Sequence, residues 1–481
     1  MVIDRRTFLQ RSIAAAAGTF TLAGPFRGLV ARAAAASPGV AANNAGYGPL
    51  QPVPDRRDGV VRLHLPEGFQ YRSFSYTGER MADGVTTPGR HDGMAAFPGP
   101  SGTVRLVRNH EVNGPGPAFG DASRAYDPMA RGGTTTVQLS EHAEKYRAWV
   151  SANGTMMNCA GGEMPYGTWV TCEETVNGPD VGPDFTGAPN DPLHEKHGYI
   201  FEVPSSDDPN EYEERNPIRS AGRFAHEAVA LDPLTGFLYL TEDNFAFPSG
   251  YYRYRPPTNP MVTGRIADGG ALEMLRIPGK PRARLDKRED VGRSFNVDWV
   301  PIPNPDPTFP EGTTNDEALV AVSNQGLEQG AAIFSRLEGL FYDEGVFYIV
   351  STQGGQVDEG APTSGFGEGL GQVWAYEPAR EKLTLIFESP GPDVLELPDN
   401  VAVTPRDGIL LCEDGPADNY LRGLTPDGEI FDFALNAIEG RRGDEFAGAT
   451  FSPSGDTLYV NIQASSGLSF AIWGPWTNGP L

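Results

Sequence analysis

The sequence predicts an all-β chain: a six-bladed β-propeller built as a single domain with loop insertions. Two features of the 481 residues carry this reading. Glycine (59) and proline (43) together make about a fifth of the chain, which suits many short strands joined by turns better than helices. A hairpin pattern also recurs six times along the chain. The competing arrangement, a pair of β-sandwich domains, needs a linker of shifted composition, and none divides the chain.

The first residues, MVIDRRTFLQRSIAAAAGTF, set twin arginines (Arg5, Arg6) before Phe8, Leu9 and a mild apolar stretch, and ARAAAAS follows at 31–37. This reads as a twin-arginine export leader over residues 1–36, cleaved near Ala34 to Ser37, because the apolar stretch is too short and too rich in small residues to anchor in a bilayer. The remaining 37–481 form the propeller domain. That export route carries proteins already folded, which suits a chain that takes up metal before it crosses. The expected partners are thus the twin-arginine export machinery and a small substrate, with no stable membrane anchor, for a monomer that is periplasmic or extracellular.

The formal net charge is −25, and loss of the leader would make it more negative. Such a surface repels nucleic acid and anionic lipid. An anionic substrate would need bound cations to invert the local field.

The six repeats start at Asp92, Cys159, Glu227, Glu338, Asp399 and Glu445, and each runs through an apolar alternation to a turn glycine (Gly102, Gly167, Gly236, Gly345, Gly408, Gly455) and a second alternation. Each reads as a β-hairpin. YIFEVP, YYRYRP, QVWAYEP, LTLIFE and EIFDFAL supply outer strands, and a proline-rich insertion covers about 257–330. In a propeller blade the first hairpin strand lines the central channel and the second returns antiparallel. The six starting residues would therefore ring one mouth of the channel. Beside them would stand Asn109 and Glu111, Glu173 and Glu174, Glu242 and Asp243, Glu413 and Asp414, and Gln463. So many carboxylates in a narrow space repel one another unless cations lie between them. Cys159 takes a slot that other repeats fill with an acid, as a mixed sulfur and oxygen metal cluster requires. A Cys159–Cys172 disulfide remains the alternative, and with Cys412 the cysteine count is odd.

Rings of carboxylate oxygen suit calcium. A thiolate among them argues for a softer ion such as iron or zinc. A polynuclear cation site at a channel mouth fits phosphoester hydrolysis. Arg336 lies two residues before Glu338, on the same side of an extended chain, and could hold a phosphate or pair with a neighbouring acid. The chain has no Gly-x-Ser-x-Gly elbow, no His-Glu-x-x-His helix and no P-loop. GFGEGLG at 365–371 reads as a loop, and His110 and His226 as buried hydrogen-bonding groups.

LPEGFQYRSFS, DGMAAF, LVRNHE, NCAGGEMPYGTWVTCEE, GRFAHEAVALDP, RLEG, LPDN and YVNIQ together resemble the PhoX-type alkaline phosphatases over about residues 50–465. The resemblance implies a propeller that hydrolyses phosphomonoesters with an iron and calcium cluster at the channel mouth. It further implies Cys159 as an iron ligand, Glu174, Glu227, Glu338 and Asp399 as metal ligands, and Arg336 as the phosphate-binding residue. Asp414 follows from the repeat alone. The family's best-studied branch has tryptophan at Tyr166, proline at Leu337 and proline-glycine after the Asn-Ile-Gln, where this chain reads NIQASSG. Other readings are a calcium-dependent lactonase or esterase, which leaves Cys159 unexplained, and a calcium-stabilised binding propeller without catalysis. Carboxylates and thiol must lose protons to hold metal, so activity is expected at neutral to alkaline pH.

Overall fold

The computed structural model describes residues 39–205, 216–355 and 365–481. The predicted leader at 1–36 lies outside them. The chain is an all-β propeller with few helices, the longest among the described residues being Ala321–Glu328.

Among the described residues, six sheets contain the strands. Sheet I runs His91–Pro98, Val104–His110, Gly132–Leu139, Tyr146–Thr155. Sheet II has Asn158–Met164, Thr168–Glu173 and Ile200–Pro204. Sheet III has His226–Leu231, Leu238–Glu242, Tyr251–Arg255, Ala271–Arg276 and Asp298–Pro301. Sheet IV starts with Leu337–Asp343 and Val346–Ser351, continues through Gln372–Glu377 and Lys382–Glu388, and ends on Ser294–Asn296. Sheet V begins Pro398–Val403, Ile409–Glu413, Tyr420–Leu424, Glu429–Asn436 and takes its outer strands from the N-terminal segment. Sheet VI is Glu445–Phe451, Thr457–Gln463, Leu468–Trp473 and Gln70–Phe74.

The repeated hairpins do not build uniform sheets. Five sheets have four or more strands, while sheet II has three. Its outer edge carries one isolated bridge, Phe201 to Pro217, where proline has no N–H to extend a ladder. The proline-rich segment 257–330 adds strands to sheets III and IV.

The first strands of the six sheets adjoin one another in chain order, and sheet VI returns against sheet I. Closure comes from pairing Gln70–Phe74 antiparallel with Leu468–Trp473, so the two ends of the chain complete one sheet. The Tyr47 hydroxyl donates to the Trp476 carbonyl at 2.9 Å and accepts from Leu481 N–H at 2.9 Å, tying the C-terminus to the N-terminal segment. Between sheets III and IV, Tyr239, Tyr251, Phe347, Trp374 and Tyr376 fill a shared aromatic core. No helix among the described residues is long and apolar enough to cross a membrane.

Candidate metal centre

Every inner strand carries a β-bulge near its start. In sheet I, His91 pairs with His110 and Met94 with Arg108, so Asp92 and Gly93 face Asn109 alone. The same two-against-one step isolates Cys159 and Ala160, Glu227 and Ala228, Glu338 and Gly339, and Asp399 and Asn400. A bulge bends the strand and re-aims a side chain. Five successive sheets thus turn Asp92, Cys159, Glu227, Glu338 and Asp399 toward the channel. The residue after each is small or an amide because the next inner strand lies close. A Cβ on Gly93 would stand 2.7 Å from Ala160 Cα.

Sheet VI departs from the register expected. Its bulge falls between Ala447 and Thr450, so Gly448 occupies the slot filled by the acids elsewhere. Gly448 has φ +62°, and a Cβ there would lie 2.5 Å from the Asp92 carbonyl oxygen. Glu445 lies three residues earlier, opposite Gln463, and reaches the mouth from the rim. Turn glycines could not reveal this, because a bulge changes the count between turn and site.

At the far end of each hairpin, adjacent acids divide the work. Glu173, Glu242 and Glu413 close their ladders opposite Asn158, His226 and Pro398. They serve the scaffold. Glu173 accepts from Met156 N–H (2.9 Å), Gly198 N–H (2.9 Å) and His197 Nδ1 (2.6 Å). Glu242 accepts from Gly250 N–H and Tyr252 Oη, and Glu413 from Arg422. The second residues, Glu174, Asp243 and Asp414, stand on the channel side, as does Glu111 after His110. His110 and His226 are buried and bond to the Gly89 and Gly222 carbonyls.

Seven side chains assemble into three linked groups. Cys159, Glu174 and Glu227 each bring one donor atom within 4.8 Å of the others; so do Glu227, Glu338 and Asp399; so do Asp399, Asp414 and Glu445. Glu227 and Asp399 each belong to two groups, which makes the row continuous. The Cys159 thiol donates to Glu227 Oε1 at 3.3 Å, and all three cysteines are free. Glu227 Oε2 and Glu445 Oε1 are buried without a hydrogen-bond partner. A buried carboxylate oxygen left unpaired is costly, and a cation removes that cost. The donor chemistry therefore fits metal ions.

The electrostatics say the same. Burial, reinforced by neighbouring carboxylates, pushes Asp92, Glu111, Asp399 and Asp414 up to about 7. The same causes hold Glu174, Glu227, Glu338 and Glu445 well above the carboxylate range, and Cys159 well above its usual thiol value. Without cations the site keeps protons.

Arg336 is the cation fixed beside this row. Its Nη2 lies 2.9 Å from Asp243 Oδ2 and 2.7 Å from Glu338 Oε1, and its guanidinium stacks over Phe245. Burial opposes its charge, but Asp243 and Glu338 more than compensate and hold it well above its usual value. Both options left open by the sequence are thus compatible: Arg336 is salt-bridged and still borders the mouth. All six residues singled out as ligands lie in the three groups. Asp243, the partner that orients Arg336, was not singled out, because its role depends on contact across 93 residues of sequence. Beyond the ring the channel widens into a cavity of about 360 Å³ lined by small and apolar residues, among them Gly162, Ala228 and Val401. Glu163 also lines this cavity.

Behind Glu173, His197 is fully buried between Glu173 and Asp127. Burial alone would lower its pKa, but the two carboxylates carry it up to about 9. Removing one partner of a buried charged set costs about 3–5 kcal/mol. His197→Ala is therefore expected to lower unfolding stability in urea by about that much; a loss below about 1 kcal/mol would show that the pair carries little.

A family model described as alkaline phosphatase PhoX matches residues 45–150 and 142–466. The chain belongs to that family. It is accordingly a phosphoric monoester hydrolase of the alkaline phosphatase kind. No curated protein sequence matches it. Among solved structures, PhoX of Pseudomonas fluorescens in complex with vanadate, a transition state analogue, superposes with a TM-score of 0.63 at 17% identity, covering 91% of this chain and 99% of that one. At this identity the likeness shows the shared propeller fold. Virginiamycin B lyase of Staphylococcus aureus (TM-score 0.37, 12% identity, 84% and 99% covered) and a pyranose dehydrogenase domain of Coprinopsis cinerea (TM-score 0.41, 10% identity, 88% and 98% covered) are more distant.

Proposed function

We propose that this PhoX-family chain is an exported, metal-dependent phosphomonoesterase that works at the mouth of a six-bladed propeller, with the three-stranded sheet II as its sixth blade. Residues 1–36 are its twin-arginine leader, 37–481 its propeller domain, and the mature protein is a monomer outside the cytoplasm. The observation that carries this reading is the continuous row of three donor groups, one with a thiol, bordered by a salt-bridged arginine. Cys159, Glu174 and Glu227 would hold iron, since sulfur favours the softer ion. Glu227, Glu338 and Asp399, and Asp399, Asp414 and Glu445, would hold calcium through oxygen alone.

Bound cations would supply Lewis-acid polarisation of the phosphoryl oxygens and neutralise charge that develops on them. The chain itself supplies position. Glu338 and Asp243 grip Arg336 from two sides, so its remaining N–H groups point in a fixed direction and can bind a phosphoryl oxygen with little loss of side-chain entropy. The buried ring excludes bulk water from the donors, which strengthens each charge interaction there.

The test is elemental analysis of protein exported through its own leader, paired with p-nitrophenyl phosphate turnover before and after Cys159→Ala. Iron with calcium, and turnover that disappears with the thiol, is the expected result. Calcium without iron, and no turnover by the wild type, would favour a calcium-dependent lactonase or a binding propeller. Arg336→Ala is expected to lower kcat/KM for the same substrate by about 10²–10³-fold, and a loss below threefold would remove Arg336 from phosphate binding.

A further inference from the structure

Arg336 has a structural twin. The residue immediately before an inner strand takes a left-handed backbone in four sheets: Arg90 (φ +48°), Met157 (φ +46°), Arg336 (φ +43°) and Leu397 (φ +46°). At each of these positions the carbonyl accepts the N–H of the residue that follows the second strand. Glu111 N–H bonds to Arg90 O at 2.9 Å, and Thr352 N–H to Arg336 O at 2.9 Å; Glu174 and Asp414 do the same to Met157 and Leu397. A non-glycine residue held at positive φ is unfavourable and persists where surrounding structure imposes it. Of the four, only Arg90 and Arg336 are charged. They open sheets I and IV, three steps apart in either direction around the ring of six inner strands, on opposite sides of the mouth.

Their side chains differ in one respect. Arg336 is clamped by two carboxylates at 2.9 and 2.7 Å and is 15% exposed. Arg90 is 51% exposed, and its contacts are long: Nη1 to Glu111 Oε2 at 3.5 Å and Nη1 to Gln463 Oε1 at 3.4 Å. Both use Nη1, so Nε and Nη2 have no partner among the described residues. A guanidinium presents its donors as a planar fork that matches phosphate and carboxylate oxygens. Elsewhere the rim is acidic, so a substrate bearing a second anionic group would be repelled unless a cation received it.

We propose that Arg90 binds a second anionic group of the substrate, opposite the phosphoryl group held near Arg336, and so sets a preference for organic phosphates with an additional phosphate or carboxylate. This rests on the phosphomonoesterase reading for turnover but not for binding. A matched pair separates the two: fructose 1,6-bisphosphate and fructose 6-phosphate, assayed with metal-loaded wild type, Arg90→Ala and Arg90→Lys. The ratio of kcat/KM for bisphosphate over monophosphate is expected to fall roughly tenfold in Arg90→Ala, chiefly through KM, and to recover in part in Arg90→Lys, which keeps the charge but not the fork. A ratio within twofold of wild type would overturn the proposal. The same proteins are titrated with fructose 1,6-bisphosphate by calorimetry under non-turnover conditions. If p-nitrophenyl phosphate and both sugars go unhydrolysed by the wild type, the phosphatase reading fails. Arg90 then stands on a tenfold affinity difference between wild type and Arg90→Ala, and falls on equal affinities.

Discussion

Glu227→Gln is expected to lose phosphatase turnover by about 10²–10³-fold or more and to release metal from both sides of the row. Glu227 belongs to the thiol-containing group and to its oxygen-only neighbour, so a neutral amide there removes a shared ligand charge. Glu445→Gln touches only the last group, so its metal loss should be confined to calcium. The contrast between the two is the informative measurement. Elemental analysis of Glu227→Gln should show iron and calcium falling together, whereas Glu445→Gln should retain iron. Equal iron content in wild type and Glu227→Gln would remove Glu227 from the thiol-containing site. Folding should survive both changes, because glutamine preserves volume and relieves repulsion among buried acids that burial already holds well above their usual range.

The second large effect concerns stability in the absence of metal. Asp92, Glu111, Asp399 and Asp414 are carried up to about 7 by burial and by one another, against ordinary carboxylate values of about 4. Between those limits the folded chain binds protons that the unfolded chain has released. Stability of chelated protein therefore falls as pH rises from about 4 to about 7. His197 acts in the same direction at higher pH. Its folded value of about 9 lies above its ordinary value, so its contribution is full below about 6.5 and is lost as pH rises through about 9. Melting temperature of chelated protein should drop by roughly 10 °C or more between pH 5 and pH 8. Cations take the place of the protons, so metal-loaded protein should show a much shallower decline over that interval. Parallel curves for the two forms would mean that the acids are not the cation ligands.

Recurrence makes much of the site legible in the amino-acid order. A chemistry-bearing residue at the start of each hairpin and acids at its end place Cys159, Glu227, Glu338 and Asp399 on one mouth, because strand alternation and antiparallel return leave them no other common face. Glu173 and Glu174 show where that logic stops. They are adjacent and identical, and only the ladder pairing of Glu173 with Asn158 decides which one turns inward to His197 and which one faces the cluster. Glu445 shows a second limit, since the bulge at Gly448 and its packing on the Asp92 carbonyl shift the acid to the rim. Arg90 shows a third limit. It stands two residues before Asp92 as Arg336 stands two before Glu338, but the shared backbone φ and main-chain hydrogen bond that make the two equivalent appear only in the folded chain.

The sequence by itself determined the all-β class, the six hairpins, the acidic and thiol inventory of the mouth and the family to which the chain belongs. These follow from local periodicity, turn chemistry and residue type, which act over a few residues. The tertiary structure alone decided the three strands of sheet II, the closure by Gln70–Phe74, the linking of three donor groups through Glu227 and Asp399, and the grip of Asp243 on Arg336. Each of these depends on which strand edge is still unpaired, or which side chain lies opposite, after distant parts of the chain have packed together. That information is three-dimensional, and no window of sequence contains it.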